Sequence, residues 1–282
     1  MIVGLLLAAG GFGAGVFGSL LGLGGGVLIV PLLTLGFGVP FREAVGVSLV
    51  CVIVTSSAAA SVYLERHMAN LRLGMLLEVF TATGALAGGL VAFILPDRVL
   101  AGLFAALLAY TAFAMLRMGR ARVPASPAPT GDGPGAALDA GFEPEPAPPR
   151  LADEIAGRDY RPRRLGAGAG GSLGAGLISA LLGVGGGIIA VPLMHLVMGV
   201  PLKVATATSN LMIGVTAAAS AVVYLLRGSI DPYVAGPTAV GVFAGALVGA
   251  RFASRIDVRI LRLLFVGVLA LTASQMALRA LA

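Results

Sequence analysis

The stretch GAGVFGSLLGLGGGVLIVPLL, residues 13–33, recurs as GAGLISALLGVGGGIIAVPLM at residues 174–194, an offset of 161 positions. The same offset pairs Pro40 with Pro201 and Tyr63 with Tyr224 without any insertion. About a third of the positions are identical over roughly a hundred residues, and shared composition does not explain aligned prolines, tyrosines and glycine triplets. The sequence therefore predicts two homologous repeats.

The composition around these copies is typical of an integral membrane protein. Of the 282 residues, 58% are hydrophobic and 11% are charged, with a mean hydropathy of +0.99, whereas soluble domains are about 45–50% apolar and about 25% charged. Eight apolar segments are long enough to cross ~30 Å of hydrocarbon: about 2–21, 44–64, 74–95, 99–118, 166–183, 205–226, 233–254 and 258–280. Two short ones, 26–38 and 186–199, follow the glycine triplets. We predict an all-α polytopic membrane protein with eight long and two short membrane segments.

One segment interrupts the apolar pattern. Residues 119–164 hold nine of the 16 prolines and equal numbers of basic and acidic residues, seven of each. Such a stretch buries too little apolar surface to order itself. We therefore predict an N-terminal transmembrane repeat at 1–118, a disordered Pro-rich cytoplasmic linker at 119–164, and a C-terminal transmembrane repeat at 165–282. The lack of a basic n-region in residues 1–15 argues against a cleaved signal peptide.

The basic residues indicate how the repeats are oriented, because they mark cytoplasmic loops. The loop at 65–73 has three basic side chains, whereas its counterpart at 226–234 has one, whose charge is balanced by an aspartate. The loop at 95–101 has one arginine, whereas its counterpart region at 251–262 has four. This opposite phase predicts inverted repeats, with the linker in the cytoplasm and both termini outside. The alternative is eight spans in parallel repeats, with the short segments as re-entrant hairpins.

The glycine triplets are candidate anion sites. Glycine allows the chain to break inside a membrane, and the helix that follows presents unpaired N–H groups and the positive end of its dipole. Short, Gly/Pro-interrupted segments at matching positions are a sign of transporter binding sites. The simpler interpretation is that these glycines only permit tight helix packing. The candidate residues are Gly24, Gly25, Gly26, Gly185, Gly186 and Gly187.

The duplicated motif G-x-x-x-x-L-L-G-h-G-G-G-h-h-h-V-P-L-h, in which h is an apolar residue, resembles that of the TauE/SafE sulfite exporter family, also called the 4-toluene sulfonate uptake permease family. The resemblance covers both halves and leaves only the linker unexplained. It implies a transporter of the bacterial inner membrane for sulfite, organosulfonates such as sulfoacetate, or related sulfur-containing anions. It does not identify the substrate.

The long segment at 44–64 and its copy at 205–226 supply hydroxyl and amide groups that suit an oxyanion. The alternative for each is a structural hydrogen bond between helices or to the carbonyl four residues earlier. The predicted ligands are Ser48, Thr55, Ser209, Asn210 and Thr216, together with His195 of the short segment.

Few charged side chains lie within the apolar segments. Glu78, one turn into its predicted span, and His195 are candidates for coupling to an ion gradient, because intramembrane ionisable groups are costly. A structural histidine is an equal alternative. Arg42 and its counterpart Lys203 are candidate vestibule charges or interface anchors, the anchor being favoured.

These features together predict a secondary transporter, with alternating access between the repeats and export coupled to an ion gradient. No G-x-S-x-G, H-E-x-x-H or P-loop motif appears, so we expect no enzyme and no cofactor or metal. As the single cysteine, Cys51 excludes an internal disulfide.

The expected partners are a small anion and the lipid bilayer, with no nucleic acid; a homodimer is left open. A passive anion channel with the same broken-helix site is the alternative.

Overall fold

The computed structural model describes residues 2–21, 26–65, 69–118, 162–252 and 258–281, and every regular element among them is helical. The predicted sites Gly24 and Gly25 and most of the predicted linker lie outside the described residues. The helices are α1 (Ile2–Leu21), α2 (Gly26–Pro31), α3 (Phe41–Glu65), α4 (Leu71–Ala92), α5 (Asp97–Met118), α6 (Leu165–Leu182), α7 (Gly187–Pro192), α8 (Leu202–Leu226), α9 (Pro232–Phe252) and α10 (Val258–Leu281).

Five of these helices are long and apolar enough to cross a membrane, by length and composition. Within the described residues they cover Ile2–Ser19, Leu71–Ala92, Leu165–Leu182, Val204–Leu226 and Pro232–Gly249. Many of their large apolar side chains lie on the outer surface of the molecule, such as Leu5, Val79 and Val240. A surface of this kind is compatible with lipid rather than with water.

The two short helices end in the same unusual way. Each runs through a proline, Pro31 or Pro192, into a five-residue π-helical turn, Leu32–Gly36 after α2 and Leu193–Val197 after α7. Proline has no N–H to donate to the helix, and a π turn is a local widening that often accompanies such an interruption. The segments expected at 26–38 and 186–199 are thus helical over 26–36 and 187–197.

Glycines set the closest helix pairs, α1 with α9 and α4 with α6. A Cβ atom at Gly245 of α9 would overlap the carbonyl of Phe12, and one at Gly249 would lie 2.7 Å from the carbonyl of Val16. Similarly, Gly84 and Gly88 of α4 lie against the carbonyls of Leu173 and Leu177 of α6. In both pairs the contacts advance in the same chain direction, so the paired helices are parallel. Close backbone packing through small residues is typical of membrane helices.

Helices α3 and α8 cross at the centre of the molecule and run in opposite directions. Ser56 Oγ donates a hydrogen bond to the carbonyl of Asn210 (2.6 Å), while a Cβ at Gly46 would lie 2.7 Å from the carbonyl of Ser229. Helix α3 also packs on α9, α8 packs on α4, and α5 pairs with α10. Each of these pairings has a counterpart when every residue is shifted by 161 positions.

Candidate functional site

Helices α6 and α7 form a hairpin whose tip is the turn at residues 183–186, and α2 begins beside this tip, against α3 and α8. A Cβ at Gly26, the first residue of α2, would lie 2.7 Å from the carbonyl of Gly183 and 2.6 Å from Val52. A Cβ at Gly185 would lie 2.7 Å from Val52 and 2.8 Å from Ile213. The start of α2 therefore lies beside the tip of this hairpin.

The turn between α6 and α7 requires glycine at its last position. Gly186 is the N-cap of α7 and has φ +73°, a left-handed conformation that costs other residues about 1–2 kcal/mol. Ile189 and Ala190 donate the first backbone hydrogen bonds of α7, both to the carbonyl of Gly186. The N–H groups of the preceding residues have no partner within the helix. The tip therefore presents backbone donors at the positive end of the α7–π-turn segment.

Two buried hydroxyl groups flank these backbone donors. The Oγ atoms of Ser179 on α6 and Ser209 on α8 have no hydrogen-bond partner among the described residues, and each serine is 1% exposed. The Cβ position of Gly186 is 3.6 Å from Ser179 Oγ, and that of Gly187 is 3.5 Å from Ser209 Oγ. Buried polar atoms normally have partners, so these two hydroxyls are candidate donors to a ligand.

Ser48, the counterpart of Ser209, has a different environment. Its Oγ lies 2.7 Å from the carbonyl of Gly183 and 3.2 Å from that of Gly26, and it donates to these carbonyls. The hydroxyl therefore links the start of α2 to the turn between α6 and α7. This contact is structural, and it holds the chain break of the α6–α7 hairpin against α3.

These environments predict that alanine substitution lowers stability at Ser48 but not at Ser209. Ser48→Ala leaves buried carbonyls without a donor and should lower the free energy of unfolding by about 1–3 kcal/mol. Ser209→Ala removes a hydroxyl without a described partner and should leave stability within about 0.5 kcal/mol while weakening anion binding. Thermal unfolding in detergent and the KM for transport measure the two effects. Equal loss of stability in both variants would contradict this assignment.

The remaining predicted hydroxyl and amide ligands bond mainly within the protein. Thr55 Oγ1 lies 3.1 Å from the carbonyls of both Cys51 and Val52 in its own helix. Asn210 Nδ2 donates to the carbonyl of Thr206 (3.0 Å). Such bonds to earlier carbonyls are the structural alternative considered for them.

Glu78 and Thr216 form a polar pair between α4 and α8. Thr216 Oγ1 donates to Glu78 Oε1 (2.9 Å), while Glu78 Oε2 has no partner in the described part of the chain. Helix α4 begins at Leu71, so Glu78 lies two turns inside it rather than one, and its side chain is buried. The counterpart of Glu78 in the other half is Ala239. The pair therefore exists in only one half.

The structure does not bring His195 to these groups. The residue is exposed, in the π-helical turn after α7, and its Nδ1 lies 2.9 Å from the carbonyl of Val200. It follows Gly187 by eight residues, about 12 Å along a helix. The imidazole therefore closes the turn into α8.

Arg42 belongs to a polar cluster at the beginning of α3. Its Nη2 donates to the carbonyl of Leu95 (2.6 Å), and its Nε forms an ion pair with Asp97 (2.9 Å). The guanidinium groups of Arg42 and Arg227 lie 5.7 Å and 5.4 Å from the centre of the Phe93 ring. These contacts tie the ends of α3, α4 and α8 together, as an interface anchor would.

Sequence reasoning missed Ser179. A signal was available, because Ser179 replaces Gly18 of the first copy within the duplicated motif. Ser172, the counterpart of Gly11, is likewise a buried serine without a hydroxyl partner in the described part of the chain. The second repeat therefore has buried serines in α6 where the first repeat has glycines in α1.

Apolar membrane-length helices around two short, proline-interrupted helices, with buried polar groups beside the start of α7, are typical of a polytopic membrane transporter. The chain belongs to the sulfite exporter TauE/SafE family, whose sequence pattern matches residues 7–276. The predicted family and the prediction of a transporter rather than an enzyme are thereby confirmed, and the protein is a multi-pass protein of a bacterial inner membrane.

Two relatives support this assignment. The probable membrane transporter protein YunE of Bacillus subtilis (strain 168) is 26% identical over 254 residues, which are 87% of this chain and 87% of that protein. The probable membrane transporter protein MamO of Paramagnetospirillum magneticum (strain ATCC 700264 / AMB-1) is 33% identical over 114 residues, 38% of this chain and 17% of that protein. No solved structure matches the chain.

Proposed function

We propose that this protein is a secondary transporter that exports small sulfur-containing oxyanions, sulfite or an organosulfonate, across the bacterial inner membrane. The observation that carries the proposal is the pair of buried hydroxyls, Ser179 and Ser209, beside the N-terminus of α7. An oxyanion accepts hydrogen bonds and donates none when fully ionised. It would therefore satisfy both hydroxyls and the free backbone N–H groups at once.

The chemistry of these donors suits a carrier. Hydrogen bonds to a charged group contribute about 1.5–3 kcal/mol each, and the helix dipole adds attraction without a formal charge. A buried arginine or lysine in the same place would hold the anion more strongly and slow its release. No basic side chain is among the contacts that the structure gives for these tip glycines. The anion would lie beside Gly186 and Gly187, near the hydroxyls of Ser179 and Ser209.

We further propose that the two halves are inverted repeats. The packing directions support this: α4 is parallel to α6, and α1 is parallel to α9, as the order of their glycine contacts requires. Helices α3 and α8, which correspond to each other, run in opposite directions. In this arrangement the two short helices enter from opposite sides, and the 119–164 linker lies on the cytoplasmic side. Rocking of one half against the other would then expose the starts of α2 and α7 alternately to each side.

Glu78 is the proposed coupling residue. Its carboxylate is buried between α4 and α8, with Oε2 open in the described part of the chain. Glu78 is connected to the tip through α8, because its hydrogen-bond partner Thr216 and the serine Ser209 both lie on that helix. A proton or cation bound there would alter the α4–α8 contact. Movement of α8 would transmit that change to the hairpin tip.

The test is uptake of labelled sulfite into proteoliposomes of defined internal pH, with sulfoacetate, taurine, sulfate and thiosulfate as competitors. We expect saturable flux that an imposed pH gradient accelerates, with at least one sulfur-containing oxyanion competing. Flux that rises linearly with concentration and ignores the pH gradient would indicate a channel. Flux equal to that of protein-free liposomes would contradict the proposed cargo.

A further inference from the structure

A cavity of about 340 Å³ lies between α1, α2 and α10. Its wall includes the side chains of Phe17, Leu28, Leu32, Val268, Thr272 and Gln275. The wall is largely apolar, because Thr272 and Gln275 are its polar side chains. The hydroxyl of Thr272 donates within its own helix to the carbonyl of Val268 (2.8 Å). The volume lies within the ~300–1,000 Å³ that small organic ligands occupy in proteins.

The flanking helices indicate where an occupant would come from. Phe12 on α1 and Val268 and Leu271 on α10 are 40%, 42% and 58% exposed. In a membrane protein, large apolar side chains on the outside of spanning helices face lipid. Helix α1 is one of the five membrane-length helices, and α10 contains a shorter apolar segment, Val266–Ala280. We therefore expect the exposed apolar side chains on both sides of the cavity to face lipid, so that an apolar occupant would enter from the bilayer.

Two polar side chains of α10 continue from this cavity towards the end of the helix. Gln275 is part of the wall, and Arg279 is one turn later, in the last turn of α10. Residues four apart lie on the same helix face. Both are exposed, and the structure gives neither a hydrogen bond nor an ion pair within the described residues. An unpaired amide near hydrocarbon is unfavourable, so a polar partner from outside the protein is expected.

The order of groups along α10 matches one class of molecule. It runs from an apolar cavity, through an amide donor, to a guanidinium at the helix end. A glycerophospholipid presents an acyl chain, an ester carbonyl and a phosphate in that order. We propose that this cavity is a phospholipid site, in which the chain fills the cavity, Gln275 donates to the ester carbonyl and Arg279 pairs with the phosphate. Arginine matches the geometry of phosphate well.

Such a lipid would also contact the transport machinery. Leu28 and Leu32 belong to α2 and its π-helical turn, and α2 begins at Gly26 beside the tip of the α6–α7 hairpin. A bound chain would therefore brace α2 from the lipid side. This consequence, unlike the lipid site itself, rests on the proposed transport function.

The absence of tryptophan from the sequence makes a direct test possible. Phe17→Trp places a single reporter in the cavity wall, Val268→Trp a second one, and Phe243→Trp a matched reporter on an exposed part of α9. Purified protein is titrated in mixed micelles with phosphatidylglycerol brominated in its acyl chain, which quenches nearby tryptophan. The cavity reporters should be quenched at a lower lipid mole fraction than Phe243→Trp, and quenching should saturate.

The headgroup contacts are tested in the same titration. Adding Arg279→Gln to Phe17→Trp should raise the lipid fraction at half-quenching about fivefold, in line with the attraction of one arginine to lipid at a membrane surface. Identical curves for cavity and α9 reporters, or equal quenching of Phe17→Trp by a brominated detergent, would overturn the proposal. Because the readout is fluorescence, the test is independent of whether the protein transports sulfite.

Discussion

Replacement of Gly186 with alanine is expected to reduce oxyanion transport by at least about tenfold, equivalent to 1.4 kcal/mol, while the protein remains in the membrane. The substituted Cβ would lie 3.4 Å from Ser179 Cβ and 3.6 Å from its Oγ. A methyl group would occupy the space between the α7 N-terminus and the hydroxyl, where the anion is proposed to bind. Initial rates of labelled sulfite uptake in proteoliposomes measure the effect.

The chain provides a matched control for this substitution. Gly199 has φ +71°, close to the +73° of Gly186, but no atom lies within 4 Å of its Cβ position. Gly199→Ala therefore introduces the same backbone strain, about 1–2 kcal/mol, in the turn after α7. We expect both variants to lose similar thermal stability and only Gly186→Ala to lose transport. Equal transport in the two variants would show that the hairpin tip is not the binding site.

Substitution of Glu78 with glutamine is expected to abolish the response of transport to a pH gradient. Glutamine preserves the shape of the side chain, and its amide oxygen can accept the hydrogen bond from Thr216 Oγ1. It cannot gain or lose a proton, so a coupled step at this position would be lost. The ratio of sulfite flux with and without an imposed gradient should fall to about one, while exchange of labelled for unlabelled sulfite continues.

Glu43→Gln is the control for Glu78→Gln. Glu43 is a carboxylate in the first turn of α3, at the end of a helix rather than between helices, and its neutralisation should leave the gradient response unchanged. A gradient response that persists in Glu78→Gln would remove this residue from the coupling mechanism. Loss of exchange as well as coupling would instead indicate that Glu78 supports the structure around α8.

The helices and their interruptions were predictable from the sequence because they depend on local composition. Glycine triplets and prolines at matching positions predict short segments at 26–38 and 186–199, which the structure shows as helical over 26–36 and 187–197, and proline acts on its own helix. The start of α4 was predicted late, although Asn70 is a typical N-cap and its Oδ1 accepts a hydrogen bond from the N–H of Leu73 (3.1 Å). That cap explains why Glu78 lies deeper than predicted.

Hydrogen-bond partners were not predictable, since they depend on which helices touch. Ser48 and Ser209 are equivalent in the repeat, but Ser48 donates to the carbonyls of Gly26 and Gly183, whereas Ser209 Oγ has no partner among the described residues. His195 lies within the right segment, but a helix distributes its residues around all its faces, and this one is exposed. Ser179 was missed because its counterpart is glycine, although its hydroxyl lies beside the N-terminus of α7.

The most direct test of the transport mechanism is the acceleration of efflux by external substrate (trans-stimulation). Proteoliposomes loaded with labelled sulfite are diluted into buffer with or without unlabelled sulfite, and the efflux of label is followed. A carrier that alternates between two faces returns faster when it is occupied, so external sulfite should accelerate the efflux, and Gly186→Ala should remove the acceleration. Efflux that is indifferent to external sulfite in the unmodified protein would contradict alternating access and indicate a channel.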